Sequence, residues 1–120
     1  MERYKFFKTK VIILFGSRAR GDYTDRSDYD ILVVADDLPP DPREAYVKLV
    51  VPEHPEVHPV GMNTEVFVRK LAQGSTFLLE ILDEGKILYA DNAFLEDIRK
   101  ICEKVRSRYV RRDKTWVRIS

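Results

Sequence analysis

Gly16-Ser17 and Asp28-Tyr29-Asp30 are the residues of this chain whose types and spacing could do chemistry together. Glycine lets a phosphate oxygen approach the backbone closely, and serine adds a hydroxyl donor beside the unpaired N–H groups and positive dipole end that open a helix. Two carboxylates separated by one residue of a strand point to the same side, about 6–7 Å apart. So placed they repel one another unless a cation lies between them. A hard divalent ion such as Mg2+ takes one or two carboxylates together with phosphate oxygens. A phosphate cradle beside a dicarboxylate ion site describes a nucleoside triphosphate pocket.

These side chains need rigid elements to aim them. Residues 11–15 are an unbroken β-branched and aromatic run closed by Gly16, which predicts a central strand buried on both faces. Residues 31–35 repeat the pattern after the acidic pair. The stretch between, 17–27, is too polar for core and suits one or two helical turns and a loop. Asp41 as N-cap, Pro42 at the first helical position and Glu44 behind it predict a helix over 42–50, stopped by Pro52. Prolines 55 and 59 exclude a helix there and leave an extended path, with an edge strand over 57–62. Thr64 is expected to cap a helix over 65–73 that ends at Gly74. Ser75 opens another that stops at Gly85, and residues 86–90 read as a short strand. Phe94, Leu95, Ile98, Ile101, Cys102, Val105 and Tyr109 fall at helical spacing and predict a last helix over 92–111, with Cys102 in its core stripe. The expected class is therefore α/β (α+β), a small mixed β-sheet flanked by helices. Residues 1–120 read as a single domain carrying a basic C-terminal helix and tail over about 92–120.

Composition narrows the function classes. A chain of 120 residues with 44% hydrophobic side chains has material for one core. Twenty-one basic against 20 acidic residues leave a net charge of +1, so no global field draws the molecule to nucleic acid or an anionic membrane. The lone Cys102 cannot close an internal disulfide, which favours a reducing compartment, and no apolar run is long enough for a membrane span, so a cytoplasmic protein is expected. Charge is nevertheless uneven. Residues 99–118 hold nine basic side chains against Glu103 and Asp113, and Lys100, Lys104, Arg108 and Arg111 line one helical face. That face is either simply solvated or a docking surface for an acidic protein or RNA, with Trp116 as an aromatic anchor.

Gly16-Ser17, ten intervening residues and Asp28-x-Asp30 resemble the signature of the DNA polymerase beta-like nucleotidyltransferase superfamily. The string from Leu14 to Gly21 is similar to its small prokaryotic branch, the minimal nucleotidyltransferases. The resemblance implies the nucleotidyltransferase fold and attack by an acceptor hydroxyl on the α-phosphate of ATP or another nucleoside triphosphate, with pyrophosphate leaving. It implies that Asp28 and Asp30 hold one or two Mg2+ ions, and that Gly16 and Ser17 bind phosphate, with Arg18 and Arg20 as further candidates. Those arginines could equally be solvated, or pair with Asp22 or Asp25.

Active members of that family usually place a third carboxylate on a following strand. Here residues 56–60 read Glu-Val-His-Pro-Val, and His58 falls at the expected position. Glu56, on the same strand face by the period-two rule, and His58, a ligand or base near neutral pH, both remain candidates, as does loss of the third ligand altogether. The four-residue spacing of His54 and His58 does not make a zinc pair, because Pro55 and Pro59 forbid the helix that would join them. Only ten residues precede Val11, fewer than the helix common in the family requires; Tyr4, Phe6 and Phe7 would extend the strand or cover an apolar face shared with another chain. A chain this small leaves little surface for an acceptor. The resemblance therefore implies a protein partner, of the HEPN type in a toxin–antitoxin pair, or a homo-oligomer. The alternative is a catalytically degenerate nucleotide-binding or docking module that neutralises its partner without transfer.

Overall fold

The computed structural model describes residues 8–21, 28–107, 109–112 and 115–118. Tyr4, Phe6, Phe7, Asp22 and Asp25 lie outside them, as do the expected roles given to those residues. The two apolar runs form strands β1 (Thr9–Phe15) and β2 (Tyr29–Ala35), paired antiparallel with Phe15 opposite Asp30. Strand β3 (Val57–Asn63) adds parallel to β2 with His58 opposite Asp30, and β4 (Lys86–Ala90) adds antiparallel to β1. The sheet order is β3-β2-β1-β4, so the two unbroken hydrophobic runs are the central strands, and the expected mixed sheet is realised.

Alternation of side chains splits the core in two. Val11, Ile13, Leu32 and Val34 point to one face, where they pack with Phe67 and Leu71 of α3 (Thr64–Ala72), Leu78 and Ile81 of α4 (Thr76–Glu84), and Phe94 and Ile98 of α5 (Asn92–Arg106). Ile12, Ile31, Val33 and Ala35 point to the other, against Leu49 of α2 (Pro42–Leu49). Helices therefore cover both faces of a central pair of strands, which is why those strands carry no polar alternation. The short α1 (Ser17–Arg20) follows β1 directly.

The sequence signals for α2 are met: the Asp41 side chain accepts from Arg43 N at 2.8 Å. Two expectations need correction. Asn63, not Thr64, caps α3: its Oδ1 accepts from Glu65 N at 2.9 Å, while its Nδ2 donates to the carbonyls of Asp36 and Leu38. That tertiary clamp fixes the strand-to-helix junction one residue earlier than local preference suggests. The last helix ends at Arg106, not near 111. Ser107 Oγ donates to Lys104 O at 2.6 Å, and the β-forming residues beyond it make a hairpin of β5 (Tyr109–Arg112) and β6 (Thr115–Arg118). Arg111 is thus on a strand, and the four-residue basic helical stripe is reduced to Lys100 and Lys104 among the described residues. On the same helix Arg99 is held by Glu96 and Glu103, which neutralises part of the local charge.

Cys102 is buried on the apolar stripe of α5, and burial pushes its thiol up from the ordinary range. A thiol held protonated in a packed core is chemically inert. Its reaction with a soluble disulfide reagent is expected to be at least about a hundredfold slower in the native protein than in denaturant. Thiol-release kinetics with and without urea would check this, and equal rates would remove Cys102 from the core.

Candidate active site

The candidate residues meet where the helical layer stops covering the sheet. Asp30 continues the β2 face that carries Leu32 and Val34, His58 continues the β3 face that carries Val60 and Met62, and Asp28, just before β2, is placed on that side by its contact with His58. All three therefore open onto the side covered farther along by α3, α4 and α5. At this end the polar side chains replace the apolar ones.

Gly16 turns the chain from β1 into α1 with φ 75° and ψ −156°, a conformation essentially reserved for glycine. The turn is closed by Ala19 N and Arg20 N, each donating to Gly16 O at 3.1 Å. Because Phe15 is opposite Asp30, this turn lies against the Asp30 side chain. A Cβ on Gly16 would stand 2.5 Å from Asp30 Oδ2. The missing side chain is what lets a carboxylate and the turn N–H groups border the same small space.

His58 Nε2 approaches Asp28 Oδ2 to 3.4 Å, both side chains being about half exposed. Glu56 faces elsewhere: its Oε1 lies 3.1 Å from His54 Nδ1, and its backbone carbonyl accepts from Tyr29 N at 2.7 Å. Of the two candidates, only His58 lies on β3 and meets the acidic pair; Glu56 precedes the strand, so the expected shared face is not realised, and it is engaged with His54. The two histidines consequently sit on different carboxylates, which gives no zinc pair. Arg18 stacks its guanidinium 4.3 Å from the Tyr29 ring centre, and Arg20 lies 3.7 Å from Glu84 Oε2 of α4.

Gly16 also borders a cavity of about 250 Å³ lined by Phe15, Arg20, Phe77, Glu80 and Glu84. Phe77 meets Phe15 edge-on at 5.9 Å and is itself about half exposed. These α4 residues gave no local signal in the sequence, because an amphipathic helix looks the same wherever it docks. A larger cavity of about 590 Å³ lies beside Asp36, Asn63 and Thr64, at the opposite end of β2 and away from the acidic pair.

Among the described residues no group of three His, Cys, Asp or Glu side chains forms a ready ion cage. Magnesium seldom needs one, since one or two carboxylates with phosphate oxygens and water usually suffice. An Asp-x-Asp pair beside a turn kept open by the absence of a Cβ at Gly16 fits such an ion, bound together with a polyphosphate.

Fold and site together define a nucleotidyltransferase domain. Residues 3–94 match the family described as Polymerase beta, Nucleotidyltransferase, and the chain belongs to that family. A Methanocaldococcus jannaschii protein, MJ0604, provisionally named a protein adenylyltransferase, is 38% identical over 82 residues, which cover 68% of this chain and 80% of that protein. Among solved structures, a toxin–antitoxin with AMP-PNP superimposes with a TM-score of 0.52 at 28% identity, covering 83% of this chain and 73% of the other. A mutant of the toxin–antitoxin MntA-HpeT gives a TM-score of 0.52 at 29% identity, covering 88% and 76%. The resemblance read from the motif is thereby borne out. Among the described residues no helix is long and apolar enough to cross a membrane.

Proposed function

We propose that the chain transfers AMP from ATP to a hydroxyl of a partner protein, the partner being a HEPN-type toxin that this chain neutralises in the cytoplasm. The observation that carries the reading is the Asp30 carboxylate lying against the Gly16 turn, with Asp28 just before the strand and beside His58, the β3 partner of Asp30. The relative named for protein adenylyltransfer and the similar toxin–antitoxin with AMP-PNP support the substrate and the partner.

In this reading the Ser17 hydroxyl and the backbone N–H groups of Ser17 and Arg18 at the Gly16 turn hold the outer phosphates, and Asp28 and Asp30 would hold Mg2+. The ion, when bound, neutralises phosphate charge and lowers the pKa of the acceptor hydroxyl. The acceptor oxygen bonds to the α-phosphorus, the bond to the bridging oxygen of the β-phosphate breaks, and pyrophosphate leaves with that electron pair. The acceptor proton passes to solvent at the open edge of the site, beside the half-exposed Asp28.

Incubating the chain with its partner, Mg2+ and ATP labelled at the α-phosphate tests the proposal. Label is expected on the partner and not on this chain. Tight complex formation with no transfer would overturn the enzymatic reading in favour of a docking module, and salt-sensitive binding to RNA alone would replace the protein acceptor.

A further inference from the structure

We infer that His58 is a metal-binding residue of this site and biases it toward first-row divalent ions over Mg2+. This rests on the reading of Asp28 and Asp30 as the ion-holding pair.

The argument starts from register. His58 is the direct parallel partner of Asp30, so the two side chains share a sheet face. Its Nε2 stands 3.4 Å from Asp28 Oδ2. Donors about 2.1 Å from one octahedral ion lie roughly 3 Å from one another, so this nitrogen and this oxygen are already close to the separation of neighbouring ligands. Neither is locked away, since the His58 and Asp28 side chains are 55% and 50% exposed. The carboxylate that could have supplied an oxygen instead, Glu56, is drawn to His54 across Pro55. The described residues form no ready three-ligand cage, so the two oxygens and one nitrogen would be drawn into one shell only when a triphosphate and its ion arrive.

A nitrogen in that set changes which ion wins. Mg2+ is hard and binds almost entirely through oxygen, whereas imidazole is a good ligand for first-row transition ions, whose affinities rise through the Irving–Williams series. Replacing an all-oxygen set with one containing an imidazole therefore costs Mg2+ more than it costs Mn2+. The protein selects among ions here by donor type, because a half-exposed site formed partly by the substrate has little rigidity with which to select by size.

The chain has two histidines, His54 and His58, which makes the test clean. Full-length protein carrying 15N-histidine is loaded with Mn2+ and a non-hydrolysable ATP analogue methylene-bridged between the α and β phosphates. Pulsed electron paramagnetic resonance then reports any bonded 15N, while displacement of Mn2+ by Mg2+ gives the relative affinity. A 15N coupling is expected in the wild type and in His54→Ala, and is expected to vanish in His58→Ala. His58→Asp, which substitutes oxygen for nitrogen at an exposed position, is expected to lower the Mn2+ preference by about tenfold. If the wild type shows no 15N coupling while Asp28→Asn still abolishes Mn2+–nucleotide binding, the ion site stands and His58 is not in it. If Asp28→Asn and Asp30→Asn leave that binding unchanged, the ion-holding pair itself is wrong and the inference falls with it.

Discussion

Asp30→Asn is expected to reduce label transfer by about three orders of magnitude, and Asp28→Asn by a similar factor, while each variant melts within a few degrees of the wild type. The asymmetry between activity and stability follows from where the two carboxylates are. Asp28 is half exposed, Asp30 is partly buried at the open end of a strand, and neither belongs to the hydrophobic clusters that hold the sheet to its helices. Exchanging a charged oxygen for a neutral amide there removes mutual repulsion and leaves packing untouched, so the stability change stays within about 0.5 kcal/mol. The same exchange removes half the negative charge available to an ion that has to neutralise a triphosphate. A thousandfold loss corresponds to about 4 kcal/mol of barrier, a size in keeping with losing a charge-stabilising group in a partly desolvated site. The two variants should also part company in one respect. Asp28→Asn removes the negative charge that faces His58 across 3.4 Å, whereas Asp30→Asn leaves that charge in place. Parallel thermal melts and timed label transfer decide the matter, and either variant retaining more than a tenth of wild-type transfer would defeat the two-carboxylate reading.

What the sequence made visible, and what it hid, separates along physical lines. The runs VIILF and ILVVA announce the central strands because burial on both faces leaves no room for polar residues, and period two then puts Asp28 and Asp30 on one face whatever else the chain does. The caps at Asp41 and Ser75 are equally local, each accepting from a nearby backbone N–H. The Gly16–Asp30 approach is of another kind. It depends on Phe15 pairing with Asp30, a register between segments separated by a loop, which no local preference specifies. The choice between Glu56 and His58 is hidden for a related reason: parity would place both on one face, but β3 begins at Val57, so Glu56 falls outside it and turns to His54 while His58 meets Asp28. The overextended last helix is the converse error. The apolar spacing through Tyr109 was helical, but Ser107 takes a carbonyl bond that competes with continuation, and the residues after it find strand partners. Strand β4 was foreseen as a strand but not as an edge, and its Ile87, Leu88 and Tyr89 are about half exposed there.

Gly16→Ala is expected to damage stability and transfer together, and a control at Gly21 can separate the causes. Gly16 combines φ 75° with ψ −156°, where a side chain is strained, and a Cβ there would meet Asp30 Oδ2 at 2.5 Å. Gly21 also has positive φ, 86°, but a Cβ on it would find nothing within 4 Å. Gly21→Ala therefore reports strain alone, of the order of 1 kcal/mol, at a left-handed turn position. Gly16→Ala adds the more forbidding backbone region, worth about 1–3 kcal/mol, and a clash that the Asp30 carboxylate can relieve only by swinging away from the turn. That movement leaves the fold standing but parts the ion-holding oxygen from the phosphate-binding N–H groups. Transfer is then expected to fall at least about a hundredfold, since displacement by about 1 Å already costs that much in an oriented site. Gly21→Ala should lose less than about fivefold. Urea melts give the stability difference and label transfer gives the activity ratio. Equal activity losses in the two variants would mean that backbone strain near α1, and not the closeness of Gly16 to Asp30, governs the site.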